Sequence, residues 1–111
     1  MATAPINTFK SVAEELSTEE QILYTAPADT TAIVLLAQAA NITTDHSPES
    51  ANVTFLTSLN NTELVKDFTI PPGDAASLLV GKLVLEPNQF IQASADANNS
   101  IKVTISILET R

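Results

Sequence analysis

The residues with the most obvious chemical potential lie in two short stretches. In "GDAASLLVGKLVLEP", Gly73 to Pro87, Gly81 precedes Lys82 as it would in a loop that cradles phosphate. Such a loop also needs an earlier glycine, separated by four residues from the Gly-Lys pair, and a Ser or Thr after the lysine to reach magnesium. Ala76 and Leu83 occupy those two positions. The segment "KLVLEP" reads as a short strand closed by proline, whereas a phosphate loop opens a helix, so nucleotide binding is set aside. The second stretch, "TTDHSPES", sets Asp45, His46 and Ser47 side by side. The members of a catalytic triad converge from separated segments, and neighbours in one loop cannot hold nucleophile, base and orienter in register. A solvated turn is the expectation.

His46 is the only histidine and the chain has no cysteine. One imidazole is too few strong ligands for a transition metal, and neither a disulfide framework nor a thiolate nucleophile is available. Carboxylates are plentiful, with Glu14-Glu15 and Glu19-Glu20 as the densest pairs, but the Asp-x-Asp-x-Asp-Gly spacing of a calcium loop is missing. They read as solvated charge. No catalytic, cofactor-binding or metal-binding residue is therefore expected, and the chain is read as a non-enzyme without cofactor.

With 111 residues, one domain spanning 1-111 and one modest core are expected. Thirteen acidic residues against five basic ones give a formal net charge of -8, which repels phosphate backbones and anionic lipid. Neither nucleic acid nor a membrane is an expected partner. The opening "MATAPINTFKSVAEE" lacks the pattern of a secretory signal, and no apolar run approaches the ~20 residues of a membrane helix. Asn41, Asn52, Asn60 and Asn98 each begin an Asn-x-Ser/Thr triplet. In a chain this rich in Asn, Ser and Thr, turn chemistry explains them better than glycosylation.

Short apolar or alternating runs separated by Pro, Gly, Asn and Asp point to an all-β fold, an antiparallel β-sandwich of about eight strands, jelly-roll-like or immunoglobulin-like. In "IKVTISILE" Ile101, Val103, Ile105 and Ile107 fall on one face and Lys102, Thr104 and Ser106 on the other. "NVTFLTSL" alternates likewise through Val53, Phe55 and Thr57. Asn60-Asn61 then supplies a pair that tolerates positive φ, so "TELVKDFTI" returns as a hairpin partner. Pro71-Pro72-Gly73-Asp74 ends that strand, because proline lacks the amide proton of a ladder. "AASLLV" is expected to cross the core before a bend at Gly81, with Leu83 and Leu85 buried and Lys82 solvated. Gln89 to Ala95 forms a further strand, turned by Asp96 to Asn99. Ala32 to Ala37 is apolar on both faces, as in a strand centred in a sandwich or pressed between subunits.

The first twenty residues carry two signals. Ser11 with Glu14, and Ser17 with Glu20, match capping boxes, while Phe9, Ser11 and Ala13 alternate with Lys10, Val12 and Glu14 as in an edge strand. An extended N-terminal arm or edge strand over residues 1-20 is preferred to a helix.

"LYTAPADTTAIVLLAQAANIT" and "VKDFTIPPGDAASLLVGKLVLEPNQFIQASADANNSIKVTISILE" together resemble small virion structural proteins of tailed bacteriophages, including those of marine cyanobacterial phages. The elements that carry the resemblance are Tyr24 to Pro27, Ile33 to Ala37, Pro72 to Asp74, Gly81 to Pro87 and Val103 to Glu109. It implies a non-enzymatic virion component assembled in the host bacterial cytoplasm. The leading expectation is a capsid decoration, or cement, subunit that binds the major capsid protein and stabilises the assembled head. A neck, tail or fibre-associated subunit is the alternative. A carbohydrate- or receptor-binding module is a third reading, weakened by scarce aromatics, with Tyr24 the only polar one. As an anchor, the N-terminal segment would present Ile6, Phe9 and Val12 to its partner. A homo-oligomer is expected, because two-faced apolar strands must be covered, and a trimer is the expected form.

Overall fold

The computed structural model describes residues 7–43 and 50–111. Ile6 and the loop holding Asp45, His46 and Ser47 lie outside the described residues. Within them the chain forms β1 (Asn7–Glu15), β2 (Gln21–Thr25), β3 (Thr31–Asn41), β4 (Ala51–Thr57), β5 (Thr62–Ile70), β6 (Ala75–Ser77), β7 (Leu83–Leu85), β8 (Phe90–Ala95) and β9 (Ile101–Thr110). The capping-box signals near the start do not produce a helix. Ser17 accepts the Glu19 amide on its hydroxyl at 3.3 Å and shapes the turn between β1 and β2.

The strands build two antiparallel sheets. One runs β1-β9-β3-β6, with β7 also on β3, and the other runs β2-β8-β4-β5. The pairs β1·β9, β2·β8, β3·β6/β7 and β4·β5 nest inside one another, so the chain is one long antiparallel hairpin rolled until β9 meets β3 and β8 meets β4. That is the jelly-roll arrangement, which separates the two expected sandwich types. The expected number of about eight strands becomes nine because the partner of β3 is broken in two. Gly81, at φ +86°, lies in the connection between β6 and β7.

Alternation decides which side chains are buried. Ile101, Val103, Ile105 and Ile107 of β9 line the interior with Val53 and Phe55 of β4 and Ile91 of β8. Leu83 packs against this cluster and Leu85 is buried within it, while Lys82 is exposed. "AASLLV" departs from the expectation of a segment crossing the core. Leu78 is buried and Leu79 is partly packed, but Val80 is fully exposed. The run is too short to traverse the sandwich once β6 has ended at Ser77.

Turn chemistry follows the residue types. Asn60 and Asn61 both take positive φ, 57° and 49°, between β4 and β5. Gly73, at φ +75°, follows the two prolines, and the Asp74 amide donates to the Pro71 carbonyl at 3.1 Å. Asp67, also at positive φ, marks a bulge in β5 where its amide donates to the Thr54 hydroxyl at 3.2 Å.

Candidate functional site

The outer face of the β1-β9-β3 sheet stands out because apolar side chains occupy it where solvent would favour polar ones. Its rows follow from the register. Phe9 of β1 stands opposite Leu108 of β9, Leu108 opposite Ile33 of β3, and Ile33 opposite Val84 of β7. Their inward neighbours Ile107, Val34 and Leu85 are buried, so alternation turns this row outward. Phe9 is 73% exposed and Val84 is 55% exposed, while Leu108 and Ile33 are partly exposed. Leu36, one row further, is 40% exposed beside the bulge that the extra residue Leu35 makes in β3. The two-faced apolar character expected of Ala32 to Ala37 is thereby resolved: Ala32, Val34 and Ala37 face the core, and Ile33 and Leu36 belong to this outer face.

The β1 edge of the same sheet is the second feature. Among the described residues β1 pairs only with β9, which leaves its other side without a strand. It is held in place by a contact between the two sheets. Glu109, buried on the inner side of β9, accepts a short hydrogen bond from the Tyr24 hydroxyl of β2 and an ion pair from Lys10 Nζ of β1 at 3.2 Å. The Tyr24 bond, opposed by burial and aided by Lys10, holds the Glu109 carboxyl below its ordinary range. Burial, with the adjacent carboxylate, pushes the Tyr24 hydroxyl well above the usual tyrosine range. Tyr24 is therefore engaged inside the sandwich and does not form an open stacking platform for a sugar.

The expected anchor residues are placed differently from one another. Ile6 lies outside the described residues, Phe9 projects from the outer face, and Val12 packs against the core from the inner side of β1. Phe9 and Val12 are thus on opposite faces, as an odd separation along a strand requires.

On the other sheet, a groove of about 450 Å³ is lined by Glu20, Thr54, Leu56, Asn61, Glu63, Lys66, Gln92 and Ser94. No aromatic ring lines it, and Lys66 is neutralised by Glu63 at 3.3 Å. Glu14, Glu15, Glu19 and Glu20 are all exposed, and among the described residues no group of three or more His, Cys, Asp or Glu is arranged to hold a metal ion. Three of the four Asn-x-Ser/Thr asparagines are structural. Asn41 is buried and donates from Nδ2 to the Ile70 carbonyl at 2.8 Å; Asn52 accepts the Thr69 hydroxyl at 2.6 Å; Asn98 accepts the Thr18 amide at 3.0 Å.

No family model matches the chain, and no curated protein matches it. Solved structures share its fold. A chain of the acid-stable capsid of Helicobacter pylori bacteriophage KHP30 is 13% identical with a TM-score of 0.55, over 97% of this chain and 92% of that one. A chain of the Bacillus endospore appendages, a family of disulfide-linked pili, is 12% identical with a TM-score of 0.52, over 96% of this chain and 86% of that one. At such identities the likeness is one of fold.

Proposed function

We propose that the chain is a non-enzymatic structural subunit of a phage particle that decorates the assembled head, binding the major capsid protein and stabilising the shell. The observation that carries this reading is the open β1 edge, with the N-terminal segment leading directly into it. An edge of unpaired backbone groups is a docking surface that a neighbouring chain can extend by strand addition. Lys10 and Glu14 on the inner side of β1 are the kind of charge that keeps such an edge from pairing indiscriminately. The sequence resemblance to phage virion proteins and the fold shared with a phage capsid chain support the same reading. In this account Ile6 and the backbone edge of β1 meet the capsid, and Val12, packed against the core, fixes the strand that presents them.

The test is rebinding of purified protein to stripped capsids, read by co-sedimentation. Deleting residues 1–6 should weaken rebinding at least about tenfold and leave the thermal transition unchanged, since β1 begins at Asn7. A longer deletion through Val12 would mislead, because it also removes the Lys10–Glu109 ion pair and a core contact. Full rebinding by the truncated chain would remove the anchor; failure of the intact chain to rebind would remove decoration.

A further inference from the structure

The outer face of the β1-β9-β3 sheet is a separate surface from the β1 edge, and its charge pattern identifies what covers it. In the paired rows of β1, β9 and β3 from Asn7–Thr110 to Ala13–Thr104 no ionisable side chain stands on this face, although the chain carries a net charge of -8; Lys82 and Glu86, of opposite sign, flank Val84 at the two ends of β7. The exposed acidic residues lie in the turns after β1, β2, β5, β7 and β8, on the opposite sheet and, as Glu14 and Glu15, at the end of β1. We propose that this face is the interface between two copies of the chain. A second acidic copy can approach here without bringing like charges together, whereas a basic partner would gain more from the acidic turns than from this face.

The register also specifies the geometry. The row Phe9–Leu108–Ile33–Val84 has an apolar residue in all four strands, so burial is greatest when that row meets itself. A two-fold axis along the strands achieves this: Phe9 of one copy faces Val84 of the other, and Leu108 faces Ile33, with each contact made twice. Glu15 and Lys102, which share the row next to these, then lie over the other copy's Ala75 and Ala40. The 10 residues of β9 and four strand widths make a face on the order of 600 Å² per copy at ordinary strand spacings. Two copies together reach the ~1,200 Å² at which stable interfaces begin. A two-fold pair replaces the trimer expected from sequence. It is independent of the virion reading, since it concerns the purified chain alone.

The absence of cysteine permits a direct test. Phe9→Cys and Val84→Cys proteins are prepared separately, mixed, and treated with a bismaleimide that spans the ~10 Å between facing sheets but not the ~14 Å between the two positions in one copy. The mixture should give a covalent dimer, and neither variant alone should. Val84→Glu, at an exposed position, should weaken dimerisation at least about tenfold in sedimentation velocity with an unchanged circular dichroism spectrum. Cross-linking by either variant alone to the same extent, a monomer or trimer at the highest workable concentration, or association unaffected by Val84→Glu would each overturn the proposal.

Discussion

Glu109 of β9 is held by groups from two other strands, Tyr24 of β2 and Lys10 of β1, and its titration links the fold to pH. Its carboxyl titrates lower in the folded chain than the ordinary glutamate value of about 4.3, first because of the Tyr24 hydroxyl and then because of Lys10. The stability it confers is therefore complete above that value and fades as pH falls towards the depressed one. Tyr24, shifted upward, keeps its contribution below about pH 10 and loses it only in stronger alkali. Tyr24→Phe should lower stability at neutral pH by about 1–3 kcal/mol, the range for hydrogen bonds to charged groups and for buried groups left unpaired, and should flatten the acid limb of a thermal-melting profile. An acid limb as steep in the variant as in the parent would show that the bond does not carry the effect. This contact was not legible in the sequence, because its partners lie 85 residues apart and Glu109 ends an otherwise ordinary alternating run. By contrast, Asn60 and Asn61 announced their turn through residue type alone.

Strands are specified by alternation wherever one face is apolar and the other polar, which is why β4 and β9 could be read directly. β3 was harder, since both its faces are apolar; only the register with β9 separates Val34, which faces in, from Ile33, which faces out. The segment from Ala75 to Leu85 was legible in part. Its glycine bend and the burial of Leu83 and Leu85 followed from sequence, whereas the exposure of Val80 depends on how far β6 reaches along β3. Lys82→Ala should change stability by less than about 0.5 kcal/mol, as for a surface substitution without a partner. Leu85→Asp should prevent folding, because it places an unpaired carboxylate in the buried cluster beside Ala32, Val34 and Ile107. Soluble yield and circular dichroism of the two variants distinguish them, and greater damage from the lysine change would contradict the assignment of this segment.

The molecule as a whole divides its surfaces by chemistry. A rolled antiparallel hairpin encloses the core, acidic residues stand in turns at both ends, and an apolar face and an open strand edge belong to the same sheet. The all-β class and the sandwich were readable from turn spacing, but the jelly-roll order was not, because a local pattern does not say which distant strands pair. Under the two proposals taken together, pairing through the face would leave each copy's N-terminal edge available to the head. The neck or tail alternative differs in stoichiometry, since such subunits are few per particle. Quantitative mass spectrometry of purified virions therefore tests the account most directly. Decoration predicts a copy number comparable with that of the major capsid protein, and detection of only a few copies per particle, or of none, would contradict it.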